Sequence, residues 1–80
     1  MRPVSALAGD IRLRTLQERA RHATARAAKL ADHLQAVLDQ GGDPSQPMVT
    51  EFGRRHEAMV AALAELAVAE AEIAAQEGVA

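Results

Sequence analysis

The seven residues Gly41-Gly42-Asp43-Pro44-Ser45-Gln46-Pro47 divide this chain and decide its fold. Glycine adopts positive φ at no steric cost, so Gly41 and Gly42 suit positions just past a helix C-terminus. Asp43-Pro44-Ser45-Gln46 then reads as a helix start. Asp43 can accept from an exposed amide, Pro44 fits the first helical position, and Gln46 can reach back as in a capping box. Pro47 disfavours helical torsions at Gln46, which moves the settled start of the second helix to about Met48. Nearly equal helical patterns flank the break. The chain therefore reads as all-α, a single antiparallel two-helix hairpin of coiled-coil type over 10–77. Its expected parts are a flexible tail over 1–9, a first helix over 10–40, a turn over 41–47 and a second helix over 48–77.

Working back from the turn, Leu13, Leu16, Ala20, Ala23, Ala27, Leu30, Leu34 and Val37 follow in alternating steps of three and four. That is an unbroken heptad register. Its alanine middle allows close approach of another helix, with Ala20, Ala23 and Ala27 expected at the closest point. Arg12, Arg19, Arg26 and His33 recur at seven-residue spacing beside the seam, where long stems can cover it. Asp10 is the expected N-cap.

Working forward, Met48, Phe52, Met59, Leu63, Leu66 and Ile73 fall in one stripe, widened by Val49, Val60 and Ala67. Gly53 weakens the start of this arm by up to about 1 kcal/mol. Glu51 and Arg55 form a well-oriented i, i+4 pair. Gly78 supplies a stop, with Val79 and Ala80 fraying beyond it.

Charge folds the arms together. From Arg12 to Lys29 six basic residues stand against Glu18 alone, a balance of +5. From Glu57 to Glu77 five glutamates stand with no base, a balance of −5. An antiparallel hairpin lays one segment along the other and selects that orientation over its alternatives. With a turn pivoting near Pro44, Glu70 is expected opposite the neighbourhood of Arg19, and His56 opposite Asp32.

Eighty residues make one small domain, and two helices alone give a seam rather than a core. A partner or self-association is expected. One Phe, no Tyr and no Trp leave few large side chains to wall a ligand pocket. The absence of Cys excludes disulfides, thiolate nucleophiles and Cys-based zinc sites. A net charge of −2, with no aromatics interleaved among the arginines, argues against gripping nucleic acid. No long apolar run suggests membrane insertion, and the N-terminus lacks a hydrophobic signal region. A soluble, cytoplasmic protein is expected.

Catalytic signals do not gather. His22 and His33 lie about 16 Å apart along one helix, too far to share a metal. His56-Glu57 lacks the second histidine of a zincin helix, and no serine or threonine has a glycine elbow or nearby base. Neither an enzyme nor a cofactor-binding protein is expected. The shortage of core points instead to protein binding. The second arm carries an apolar arc wider than one neighbour covers, through Phe52, Met59, Val60, Leu63, Leu66 and Ala67. On the first arm, Leu30, Leu34 and Val37 drift to one side of the seam. These nine are the expected partner-binding residues.

The turn Gly41-Gly42-Asp43-Pro44-Ser45-Gln46, followed by Phe52 and an amphipathic arm, resembles the YscE-like co-chaperones of bacterial type III secretion. These are small helical hairpins with a polar turn and an aromatic residue entering the second helix. The resemblance implies a cytoplasmic hairpin that pairs with a tetratricopeptide-like chaperone, the two together holding the secreted needle subunit soluble. Pro44-Ser45-Gln46-Pro47 also looks like the Pro-x-x-Pro turn of the needle subunits themselves. A further possibility is a self-associating hairpin that dimerises into a four-helix bundle with a scaffold or adaptor role.

Overall fold

The computed structural model describes residues 4–78, with side chains from residue 8 onward. Two helices, α1 (Val4–Asp39) and α2 (Gln46–Gly78), run antiparallel along a rod of 59 × 18 × 18 Å. The radius of gyration is 17.9 Å, against about 12 Å for a compact domain of this length. The expected two-helix hairpin is the fold.

The turn is built as its glycines dictate. Gly41 has φ +80°, and its amide donates to the Leu38 carbonyl at 3.0 Å while the Gly42 amide donates to Val37 at 3.0 Å. Those two bonds form a Schellman cap, which satisfies carbonyls that the last turn of α1 leaves open. A Cβ placed on Gly42 would stand 3.4 Å from both Val37 Cγ1 and the Val37 carbonyl oxygen, so this residue is held close against the helix end.

The start of α2 corrects the reading from sequence. Ser45, not Asp43, is the N-cap: its Oγ accepts from the Met48 amide at 3.3 Å, and its carbonyl accepts from Val49 at 3.0 Å. Gln46 is therefore helical and Pro47 sits inside the first turn. An amide there has no intrahelical acceptor, so the proline sacrifices no bond. Gln46 reaches forward to Thr50 Oγ1 at 3.5 Å rather than back.

At the other end, α1 begins at Val4, six residues before the expected cap. Asp10 lies within the helix, and residues 4–9 are helical rather than a tail. Once nucleated, a helix gains a hydrogen bond for each residue added, and the helix continues through Gly9. The remainder of the expected tail, residues 1–3, and the frayed Val79 and Ala80 lie outside the described residues.

The seam is narrow. Leu16, Ala20 and Ala27 of α1 are buried against Ala62 and Ala69 of α2. The other heptad positions of α1, from Leu13 to Val37, are half-buried in the same line. On α2 the seam runs through Phe52, Arg55, Met59, Ala62, Leu66, Ala69 and Ile73, all buried or half-buried. Leu63, expected inside the stripe, is 44% exposed. Alanine on both helices lets the backbones approach closely, and among the described residues no large side chain is fully buried.

Candidate functional site

The two sides of the rod are unlike. On one, Arg12 Nη1 meets Glu72 Oε2 at 3.2 Å and Arg19 Nη1 meets Glu65 Oε2 at 3.5 Å. The basic and acidic arms thus lie alongside each other, in the orientation that their charges select. All four side chains are more than half exposed, so each pair contributes about 0–1 kcal/mol and mainly fixes register.

Arg55 carries a third polar link between the helices. It occupies a seam position on α2, with its side chain 26% exposed. Its Nε donates to Glu51 Oε1 at 3.1 Å, the i, i+4 pair read from sequence. Its Nη1 then crosses to the Arg26 carbonyl at 3.2 Å. Glu51 also pairs with Arg54 at 3.2 Å. Between these arginines runs an open groove of about 360 Å³, floored by Ala23, Ala58, Ala61 and Ala62. Ala23 borders this groove and is half-buried, whereas Ala20 and Ala27 are buried. No three His, Asp or Glu side chains gather into a metal-binding group among the described residues.

The opposite side is apolar. Because Arg12 and Arg19 adjoin Glu72 and Glu65, the other flank of α1 adjoins the other flank of α2. That flank of α1 is the uncharged line Gln17, Thr24, Ala31 and Leu38, at seven-residue spacing. Beside it run Phe52, Met59, Leu66 and Ile73, each half-buried. Further out are Val49, Leu63, Val60 and Ala67, all exposed, with Val60 at 51%.

The expected partner-binding residues therefore separate into three groups. Val60, Leu63 and Ala67 face outward together. Phe52, Met59 and Leu66 line the edge between that flank and the seam. Leu30, Leu34 and Val37 are half-buried heptad members near the turn, and Leu30 lies on the arginine side with Arg26 and Arg55. The first two groups form one continuous surface. Val49 and Leu38 also belong to the apolar side, and their heptad spacing from the outer columns was the signal for them. Ile11 and Val68 are exposed singly elsewhere, which is ordinary for a protein surface.

His56 and Glu70 do not find the partners expected on α1. Both are exposed. The His56 ring stacks on Phe52 with centroids 6.0 Å apart, and Glu70 pairs with none of the described residues. Glu65, not Glu70, stands opposite Arg19, because the tight glycine cap places the pivot at Gly42 and not near Pro44.

No helix is long and apolar enough to cross a membrane among the described residues. Comparison with protein-family models, with curated proteins and with solved structures gives no match.

Proposed function

We propose that this chain is a protein-binding helical hairpin whose working surface is the apolar flank of α2. The observation that carries the reading is the side-by-side exposure of Val60, Leu63 and Ala67 beyond a half-buried edge of Phe52, Met59 and Leu66. Isolated apolar side chains on a surface mean little, but a contiguous stripe on a chain with so small a core is suited to covering by another protein. Burying one leucine is worth about 1.5–3 kcal/mol, so a few such residues can dominate an interface. The finer part of the proposal is a cytoplasmic co-chaperone that, with a tetratricopeptide-like chaperone, keeps a needle subunit of type III secretion soluble. The resemblance at Gly41–Gln46 and Phe52 supports that step. Concave helical-repeat surfaces also suit a helix presenting one apolar flank.

The test is affinity purification of the tagged chain from its native host, with bound proteins identified by mass spectrometry. A tetratricopeptide-like chaperone and a small secreted subunit are expected with the wild type and with Arg21→Glu, and are lost with Leu63→Asp. Retention of the same proteins by Leu63→Asp would remove the flank from the interface. Recovery of neither protein would overturn the co-chaperone role.

A further inference from the structure

His56 and Glu70 interrupt the outer apolar column of α2, and each lies seven residues from Leu63, one before it and one after. Seven residues are two helical turns, about 10.5 Å along the axis. Both side chains are exposed, and neither is covered by α1. A hydrogen-bond donor and a carboxylate placed symmetrically about an apolar centre have a specific meaning in a helix that meets its own copy.

We infer that this column is the contact between two copies of the chain, α2 against α2 in antiparallel orientation, with the two-fold axis at Leu63. In such an isologous contact residue i meets residue j while j meets i. An axis at Leu63 sets Leu63 against itself and places each His56 beside the second copy's Glu70. Imidazole can donate to carboxylate, so both interruptions of the stripe are satisfied at once. Size matches as well as polarity: four residues out Met59 faces Ala67, and eleven residues out Phe52 faces Ala74.

Other arrangements lose these matches. A parallel pair sets Glu70 against Glu70 and His56 against His56. An axis moved by one heptad, to His56 or to Glu70, sets like against like at the centre of the contact. Like groups in juxtaposition are disfavoured, so the pattern selects one register.

The rod leaves much surface open. The chain exposes 6116 Å², against about 4,700 Å² for a compact monomer of 8.5 kDa. Pairing along one flank would cover part of that excess, as an interface of standard size buries roughly 800 Å² on each partner. The inference rests on the flank of α2 being an interface, and goes beyond that reading by naming a second copy as its occupant when no other partner is bound.

The chain has no cysteine, so Leu63→Cys introduces a single thiol. At a two-fold axis that thiol meets its own copy, and mild oxidation is expected to convert most of the chain to a covalent dimer. Ala61→Cys, in the groove on the arginine side, is expected to stay uncross-linked. Equal cross-linking at both positions, or none at Leu63→Cys, overturns the axis. Charge variants give an independent readout that needs no change at the apolar centre. His56→Glu and Glu70→Lys are each expected to weaken self-association by about tenfold or more. Mixed together, the two variants are expected to form a heterodimer, with glutamate against lysine at one contact and the native pair at the other. Failure of the mixture to reassociate overturns the pairing. A wild-type chain that is monomeric yet retains a chaperone overturns this inference and leaves the partner-binding reading standing.

Discussion

Arg19 and Glu65 face each other across the hairpin at 3.5 Å, and they are equidistant in sequence from Gly42. Arg12 and Glu72, at 3.2 Å, obey the same symmetry. One glycine thus marks the register of the rod: the Schellman cap turns the chain at Gly41 and Gly42, and both interhelical ion pairs centre on Gly42.

The register predicts a measurable coupling. A double-mutant cycle on Arg19 and Glu65, read from urea midpoints at low salt, should give about 0.2–1 kcal/mol, falling as added salt screens the pair. Coupling of that size between Arg19 and Glu70 instead would mean that the helices are displaced by five residues from the described register.

Capping by Ser45 is separable from the acid before it. Ser45→Ala should cost about 0.5–2 kcal/mol, because the Met48 amide loses its acceptor. Asp43→Ala should stay within about 0.5 kcal/mol of wild type, as expected of a surface position. Thermal unfolding of the two variants side by side distinguishes them, and a larger loss from Asp43→Ala would return the cap to that residue.

The glycines divide in the same way. Gly53 lies inside α2 with nothing within 4 Å of a Cβ built there, so Gly53→Ala should stabilise by about 0.5–1 kcal/mol through the unfolded chain. Gly41 is held at φ +80°, and Gly41→Ala should cost about 1–2 kcal/mol. Circular-dichroism melts should move in opposite directions.

Much of this was legible in the sequence, and the misses share a cause. The glycine pair, the heptads of α1 and the opposed charges of the arms each carry a strong local signal, so hairpin and orientation could be read directly. The seam of α2 could be read only in part, through Phe52, Met59, Leu66 and Ile73. Ala62 and Ala69 are buried there while Leu63 is not, because a seam already lined by alanine on α1 closes tightly only on alanine. Hydrophobicity ranks Leu63 higher, but shape decides. Arg55 occupies a seam position for a similar reason: its stem packs while its guanidinium reaches Glu51 and the Arg26 carbonyl. The outer flank was visible as a width of apolar pattern, and Val60, Leu63 and Ala67 are exposed on it. Leu30, Leu34 and Val37, which drift to one side of the heptad seam, are half-buried along it.

Alanine fit on α2 can be tested directly. Ala62→Leu should overpack the seam and cost about 1–3 kcal/mol, whereas Ala61→Leu, facing the open groove, should be tolerated within about 0.5 kcal/mol. Equal effects at the two positions would mean that the seam does not run through Ala62.

The central claim is that two helices with so narrow a seam leave the flank of α2 to be covered by another chain. The concentration dependence of the unfolding midpoint of the isolated wild-type protein tests it most directly, since a fold completed by association gains stability by mass action. The midpoint should rise steadily as protein concentration increases, and the rise should vanish in Leu63→Asp while helicity at low temperature persists. A midpoint independent of concentration, with cooperative unfolding and the mass of a monomer throughout, would contradict the account.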